Sequence, residues 1–312
     1  MKLSDLCEGS TIDGDHGHPF DSQPKWLDKE KFKRGQKFIR ENIFSCLLAM
    51  HFSLVVGFSI NNLLGPLVFT KQSSTPMTAL RRYMQTFRYL LAWFYGDLWD
   101  DKEDPGYKSV RTVRRMHGSV AKSMNKDKNG GDLFISQYDM AIVQTGFFSA
   151  MFMYPDSFGI KYTKDDLMDF VHFWRGVGYI LGISDEYNIC QGSYEDVYKI
   201  SREIEKELLL PALRDPPKMF RTMAQAYCDG LNISNSIRLH STEADSAVAL
   251  DAMGVSMPLG FWDKVRFYFW KTVLFLCRWG PGFRSFMNKS TLNELDKVTQ
   301  KYLGRSLMIS SE

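Results

Sequence analysis

His117 stands in the stretch VRRMHGSV, after two arginines and before small and apolar residues. A neutral imidazole is the commonest protein ligand for transition metals, and it is equally at home as a hydrogen-bonded core group. On a helix Val110, Val113, His117 and Val120 share one face, so the ring projects from an apolar stripe toward the interior. Arg114 neighbours that stripe, while Arg111 and Arg115 lie further round. Upstream, ALRRYMQTFRYL places Arg82 and Thr86 four residues apart on one helical face. Together they offer a cation and a hydroxyl to a common ligand, or they are a surface arginine and a threonine tolerated in a helix. A non-haem alternative joins His117 to His51 or His172 and to a carboxylate, Asp185 or Glu186. That donor set suits iron(II), but no spacing in the chain requires it. Asp13, Asp15, His16 and His18 form a further cluster in a polar N-terminal stretch and read as solvated. Nucleophile-elbow, phosphate-loop, zincin and dinucleotide-binding motifs are absent from the sequence.

The elements that must position these groups are helical. Apolar residues recur with helical period over 27–64, 76–95, 107–124, 135–152, 163–182, 193–210, 215–240, 260–279 and 290–304. Gly-Pro, Asp-Pro-Gly, Asn-Gly-Gly and Asp-Pro-Pro groups punctuate the gaps. No run alternates apolar and polar residues, and no linker is long enough to separate two units. The expectation is an all-α fold in a single large helical domain. Residues 1–26 read as a loose N-terminal segment, 27–245 as the chemical domain, and 246–312 as a C-terminal helical extension.

The 312 residues carry 39 basic and 36 acidic side chains, a net charge of +3 that makes no electrostatic case for nucleic acid. The five cysteines are scattered, without metal-ligand or disulfide-framework spacing, which points to a reducing compartment. The N-terminus lacks the layout of a secretory signal, so the expected location is intracellular. Two stretches bear on membranes. Between Glu41 and Lys71 there is no charged residue, a length that would span a bilayer or form a fully buried helix. Over 261–280, Lys264, Lys271 and Arg278 recur every seven residues beside Phe, Trp, Leu and Val, a pattern for an interfacial helix or for one packed with its basic edge in water.

VRRMHGSV, the upstream R-x-x-x-T, QYDMAIVQTGFF and FWRGVGYILGISDEYN occur in that order over about 30–240. Together they resemble the rubber oxygenases (latex-clearing proteins) and the endoplasmic-reticulum-bound oxygenases of mycophenolic acid biosynthesis. The resemblance implies a globin-like all-α core holding haem b, whose iron uses dioxygen to cleave carbon–carbon double bonds in isoprenoid chains. It makes His117 the proximal iron ligand and places Arg82 and Thr86 on the distal side. Arginines beside the histidine suit bidentate pairing with propionates at the haem rim, Arg114 first and Arg115 next. Gln85 stands where rubber-cleaving members carry a lysine able to occupy the iron. Those members also carry a carboxylate base upstream, and here no acidic residue lies between Glu41 and Asp97. The expected function is a haem-dependent oxygenase of an unsaturated lipid or isoprenoid-like small molecule. A non-catalytic haem- or lipid-binding helical protein is the alternative. The expected partners are dioxygen, a hydrophobic substrate and a membrane, that of the endoplasmic reticulum by resemblance.

Overall fold

The computed structural model describes residues 1–234 and 238–309, and helices make up most of it, joined by turns and by longer loops such as 12–28 and 181–193. Among the described residues no strand occurs beyond one isolated bridge, Asp13 to Ser136. The helices are α1 (Leu3–Cys7), α2 (Lys29–Glu41), α3 (Ile43–Gly57), α4 (Asn61–Phe69), α5 (Pro76–Tyr95), α6 (Pro105–Asn125) and α7 (Gln137–Met153). They continue with α8 (Lys164–Ile180), α9 (Tyr194–Ile204), α10 (Leu210–Arg214), α11 (Phe220–Ile233), α12 (Thr242–Ala252), α13 (Phe261–Trp279) and α14 (Phe283–Leu303).

The expected helix over 27–64 is three helices. Asn42 makes the first break: its amide Nδ2 donates to the Phe38 carbonyl at 3.0 Å, and its Oδ1 accepts from the Lys161 amide at 3.0 Å. This polar knot turns α3 by 87° from α2. Among the described residues no single helix is long and apolar enough to cross a membrane, and this bent pair meets the length and composition test only jointly. Nearly every residue of α3 is buried inside the domain, and the two that are not, Ser53 and Leu54, line an internal cavity. The α3 part of the uncharged run is therefore core packing, whereas α4 is mostly half-buried and exposes Phe69. The apolar burial of α3 stabilises the fold by roughly 25 cal/mol per Å² removed from water.

α2 seats closely on α8. A β-carbon on Gly35 would lie 2.3 Å from the Asp169 carbonyl oxygen and 2.7 Å from Phe173 Cβ, so only glycine allows this approach. Arg34 pairs with Asp169 at 2.6 Å beside the contact. α5 begins with Thr75 as cap and Pro76 in the first turn, and α7 begins with a Ser136–Asp139 capping box. These starts fix the rotation of the two helices that carry most cavity-facing polar groups.

Two parts of the expected organisation change. Residues 1–26 are folded onto the domain through α1, a short 3₁₀ turn at Glu8–Thr11, and contacts from Asp13, Asp15 and His18. The expected boundary at 245/246 falls within α12, an unforeseen helix whose residues Ala244 to Leu250 are buried. α12 packs on α3 and α13, so the C-terminal region is continuous with the core. α11 ends at Ile233, and the part of the predicted 215–240 helix at 235–237 lies outside the described residues.

α13 is half-embedded. Trp270, Val273, Leu274 and Cys277 are buried against the domain. The opposite face exposes Phe261 (72%), Trp262 (68%), Tyr268 (65%), Phe275 (61%) and Trp279 (65%). The basic row is used differently from expectation: Lys271 pairs with Asp251 at 2.6 Å and Arg278 with Asp156 at 2.8 Å. The helix turns the aromatic stripe outward together with Lys264, while Lys271 and Arg278 are half-buried in their ion pairs.

Candidate functional site

A cavity of about 830 Å³ lies among the helices, within the range of roughly 300–1,000 Å³ usual for small-molecule sites. Its walls are mainly apolar: Met50 and Leu54 of α3, Leu67 of α4, Trp93 of α5, Met140 and Phe147 of α7, and Trp174 of α8. α6 contributes Val113, Met116, His117 and Val120, so the apolar stripe read from the sequence faces this space.

His117 makes no hydrogen bond among the described residues. Its Nδ1 is buried without a partner, which leaves Nε2 as the nitrogen accessible from the cavity. Burial, followed by the charge of nearby Arg82, pushes its pKa down to about 4. The ring is therefore neutral at physiological pH, with a lone pair available to a ligand.

Arg82, Gln85 and Thr86 line the same cavity from α5. One guanidinium nitrogen of Arg82, Nη1, donates to Thr70 Oγ1 at 2.8 Å, and the others have no partner among the described residues. Burial lowers the Arg82 pKa from its ordinary value, yet an arginine keeps its charge in a protein. Thr86 donates its hydroxyl hydrogen to the Arg82 carbonyl at 3.2 Å, so toward the cavity it offers an acceptor. Gln85 Nε2 is buried without a partner.

Arg114 and Arg115 do not line this cavity. Arg114 is 2% exposed and donates through Nε to Asp15 Oδ2 at 2.9 Å and through Nη2 to the His18 carbonyl at 2.8 Å. Its guanidinium also lies over the Phe20 ring, as does that of Arg115. Arg111 donates to the Phe20 and Leu98 carbonyls at 2.7 and 3.0 Å. The arginines around His117 therefore clamp the N-terminal segment to α6. His18 stacks on Tyr179 with ring centroids 4.0 Å apart, so Asp15 and His18 of the cluster expected to be solvated form the clamp's counterpart, while Asp13 and His16 are exposed. Besides Arg82, the cations that line the cavity are Lys71 and Arg81, both exposed and thus at its rim.

Two carboxylates reach the cavity from positions the sequence reading missed, Asp139 and Glu205. Asp139 accepts from Asn62 Nδ2 at 2.6 Å and from the Ser136 amide at 3.1 Å. Burial raises its pKa despite these bonds. Glu205 opens a π-helical turn, Glu205–Leu209, accepts from the Tyr154 hydroxyl at 2.6 Å, and is likewise raised by burial. Asp139 could have been found from the Ser-x-x-Asp capping box; the π turn has no comparable signature.

The non-haem set built on His117 does not form. His172 Nε2 accepts from the Asp28 amide at 3.1 Å, and Asp185 accepts from Trp26 Nε1 at 2.7 Å. His51 is engaged by Tyr227 and Asp245. Among the described residues the one group with metal-ligand geometry is His51, His240 and Asp245, without His117. The main site is thus a greasy chamber with one neutral imidazole unpartnered among the described residues, one half-buried guanidinium, two cations at its rim and two acids biased toward protonation. Such a chamber offers one nitrogen donor in mainly apolar surroundings, and its walls would exclude water from chemistry on a hydrophobic molecule.

Comparison with known proteins gives a match over residues 45–276 to the family model described as ER-bound oxygenase mpaB/B'/Rubber oxygenase, catalytic domain. The match runs past the tail position at which the sequence motifs end. Comparison with curated proteins gives no match. Among solved structures, the latex clearing protein LCP in its closed state is similar in fold, with TM-score 0.51 and 16% sequence identity over 97% of this chain and 88% of that one.

Proposed function

This chain belongs to the ER-bound oxygenase mpaB/B' and rubber oxygenase catalytic-domain family, and we propose that it is a haem b-dependent oxygenase acting with dioxygen on an unsaturated lipid or isoprenoid-like molecule. The observation that carries this reading is His117, a neutral imidazole with no hydrogen-bond partner among the described residues, facing a large, mainly apolar cavity. The residues fit the group: His117 would supply the nitrogen that holds it, the apolar walls would take a macrocycle, and Lys71 and Arg81 at the rim would meet its carboxylates. These two cations take the role first expected of Arg114 and Arg115. A bound haem would supply dioxygen activation at its iron.

The chain's own groups then divide the remaining work. Arg82 places a charge-assisted donor at the wall, where it stabilises negative charge developing on oxygen. Thr86 presents an acceptor that holds a water or a hydroxyl beside it. Gln85 offers an amide and cannot act as the closing ligand that a lysine at this position provides. Asp139 and Glu205 are acids able to hold or return a proton, and they weaken the case for a non-catalytic binding protein that rested on a missing upstream carboxylate. Leu54, Phe147 and Trp174 keep water out and match a hydrocarbon substrate.

The exposed aromatic face of α13 supports association with a membrane surface, where such substrates partition. Dioxygen uptake with parallel product analysis on unsaturated lipids and isoprenoids tests the function. Substrate-dependent oxygen consumption with carbonyl products is expected. Saturable lipid binding without consumption would replace the enzyme by a binding module.

A further inference from the structure

His51, His240 and Asp245 come from separate parts of the chain and meet inside it. His51 lies in α3, His240 just before α12, and Asp245 in the first turn of α12. One ligand atom of each lies within 4.8 Å of the others. His51 Nε2 is 2.9 Å and His240 Nδ1 3.1 Å from the same oxygen, Asp245 Oδ2. Cys228 Sγ also points at that oxygen, at 3.6 Å. The other oxygen, Oδ1, is buried with no partner among the described residues. Asp245 has no exposed surface and His51 is 4% exposed.

Hydrogen bonding alone describes this arrangement poorly. A buried carboxylate normally shares donors between its oxygens, because a bare buried oxygen forfeits its hydration without return. Here every donor crowds one oxygen. Bonds of about 2.0–2.1 Å from a cation to nitrogen and oxygen put neighbouring donors in a tetrahedral site about 3.3 Å apart, a little wider than the 2.9 and 3.1 Å from the imidazoles to Asp245 Oδ2 and inside the 4.8 Å that bounds the three ligand atoms. The far nitrogen of His51, Nδ1, lies 3.0 Å from the Tyr227 hydroxyl. An outer hydrogen bond of this kind fixes the tautomer of a metal-binding imidazole and leaves the inner nitrogen's lone pair for the ion.

We propose that His51 Nε2, His240 Nδ1 and the Asp245 carboxylate bind one divalent transition-metal cation, zinc or iron(II), in a donor group that does not include His117, although His51 also lines the large cavity. Two neutral imidazoles and a carboxylate suit either ion. The cation neutralises Asp245 and ties α3 to the start of α12, which joins the C-terminal region to the core. This assignment does not depend on haem binding at His117.

The test uses the untagged full chain, stripped with a chelator and reloaded with cobalt(II) alone. Stoichiometric cobalt with visible ligand-field bands is expected. Asp245→Asn and His240→Gln should each lose the bound cobalt while keeping the wild-type circular dichroism, and His117→Ala should keep it. Elemental analysis of the freshly isolated chain, with iron corrected for haem, separates zinc from iron(II). Wild-type protein that takes up no cobalt above background overturns the proposal and leaves a hydrogen-bonded relay. Equal loading of wild type and both variants overturns it as well. Should a variant fail to fold, the wild-type stoichiometry and spectrum decide.

Discussion

Arg82 does its work by being held rather than by being free. Its anchor on Thr70 uses one guanidinium nitrogen and leaves the others without a partner among the described residues, in a side chain that lines the cavity. Arg82→Ala should therefore leave haem uptake intact and lower turnover by roughly 10²–10³-fold, the loss typical when one donor to developing charge is removed. Stopped-flow or steady-state oxygen uptake beside the absorption spectrum reads the two effects apart. Equal loss of haem and of activity would make Arg82 a structural residue instead. At this scale the sequence was partly legible. The valine stripe placed His117, and the four-residue spacing placed Arg82 and Thr86, because helical periodicity alone sets those directions. The arginines next to His117 were not legible. Their partners, Asp15, His18 and Phe20, lie about a hundred residues away in the chain, and no local pattern encodes a clamp of that span.

Single polar residues decide where the helices break and how they seat. Apolar periodicity ran unbroken across Asn42, whose bonds to Phe38 and Lys161 turn α3 against α2. α12 escaped notice because it is buried nearly all round and has no amphipathic rhythm to detect. The α2–α8 seat gives a direct test. Gly35→Ala drives a methyl group into the Asp169 carbonyl and should destabilise the chain by about 1–3 kcal/mol. Chemical denaturation of variant and wild type measures it, and an unchanged midpoint would contradict the packing described. α7 and α5, by contrast, start where their capping signals stand, since a cap is a local hydrogen bond written in four residues.

The whole molecule presents two faces with distinct physics: an apolar chamber inside and an aromatic stripe outside on α13. Replacing Trp262, Phe275 and Trp279 together by serine should weaken sedimentation with phospholipid vesicles by at least tenfold and leave the circular dichroism unchanged. Unaltered vesicle binding would remove α13 from the membrane account. These residues are exposed and carry no internal load, so the change isolates surface from fold. The central claim concerns the chamber and is tested by one titration. Purified chain is mixed with ferric haem and its Soret band followed, in wild type and in His117→Ala. The account predicts a stoichiometric, sharp band in the wild type that is lost or shifted and weakened in the variant, with both proteins folded. Identical spectra for the two, or no haem uptake by the wild type, would contradict it.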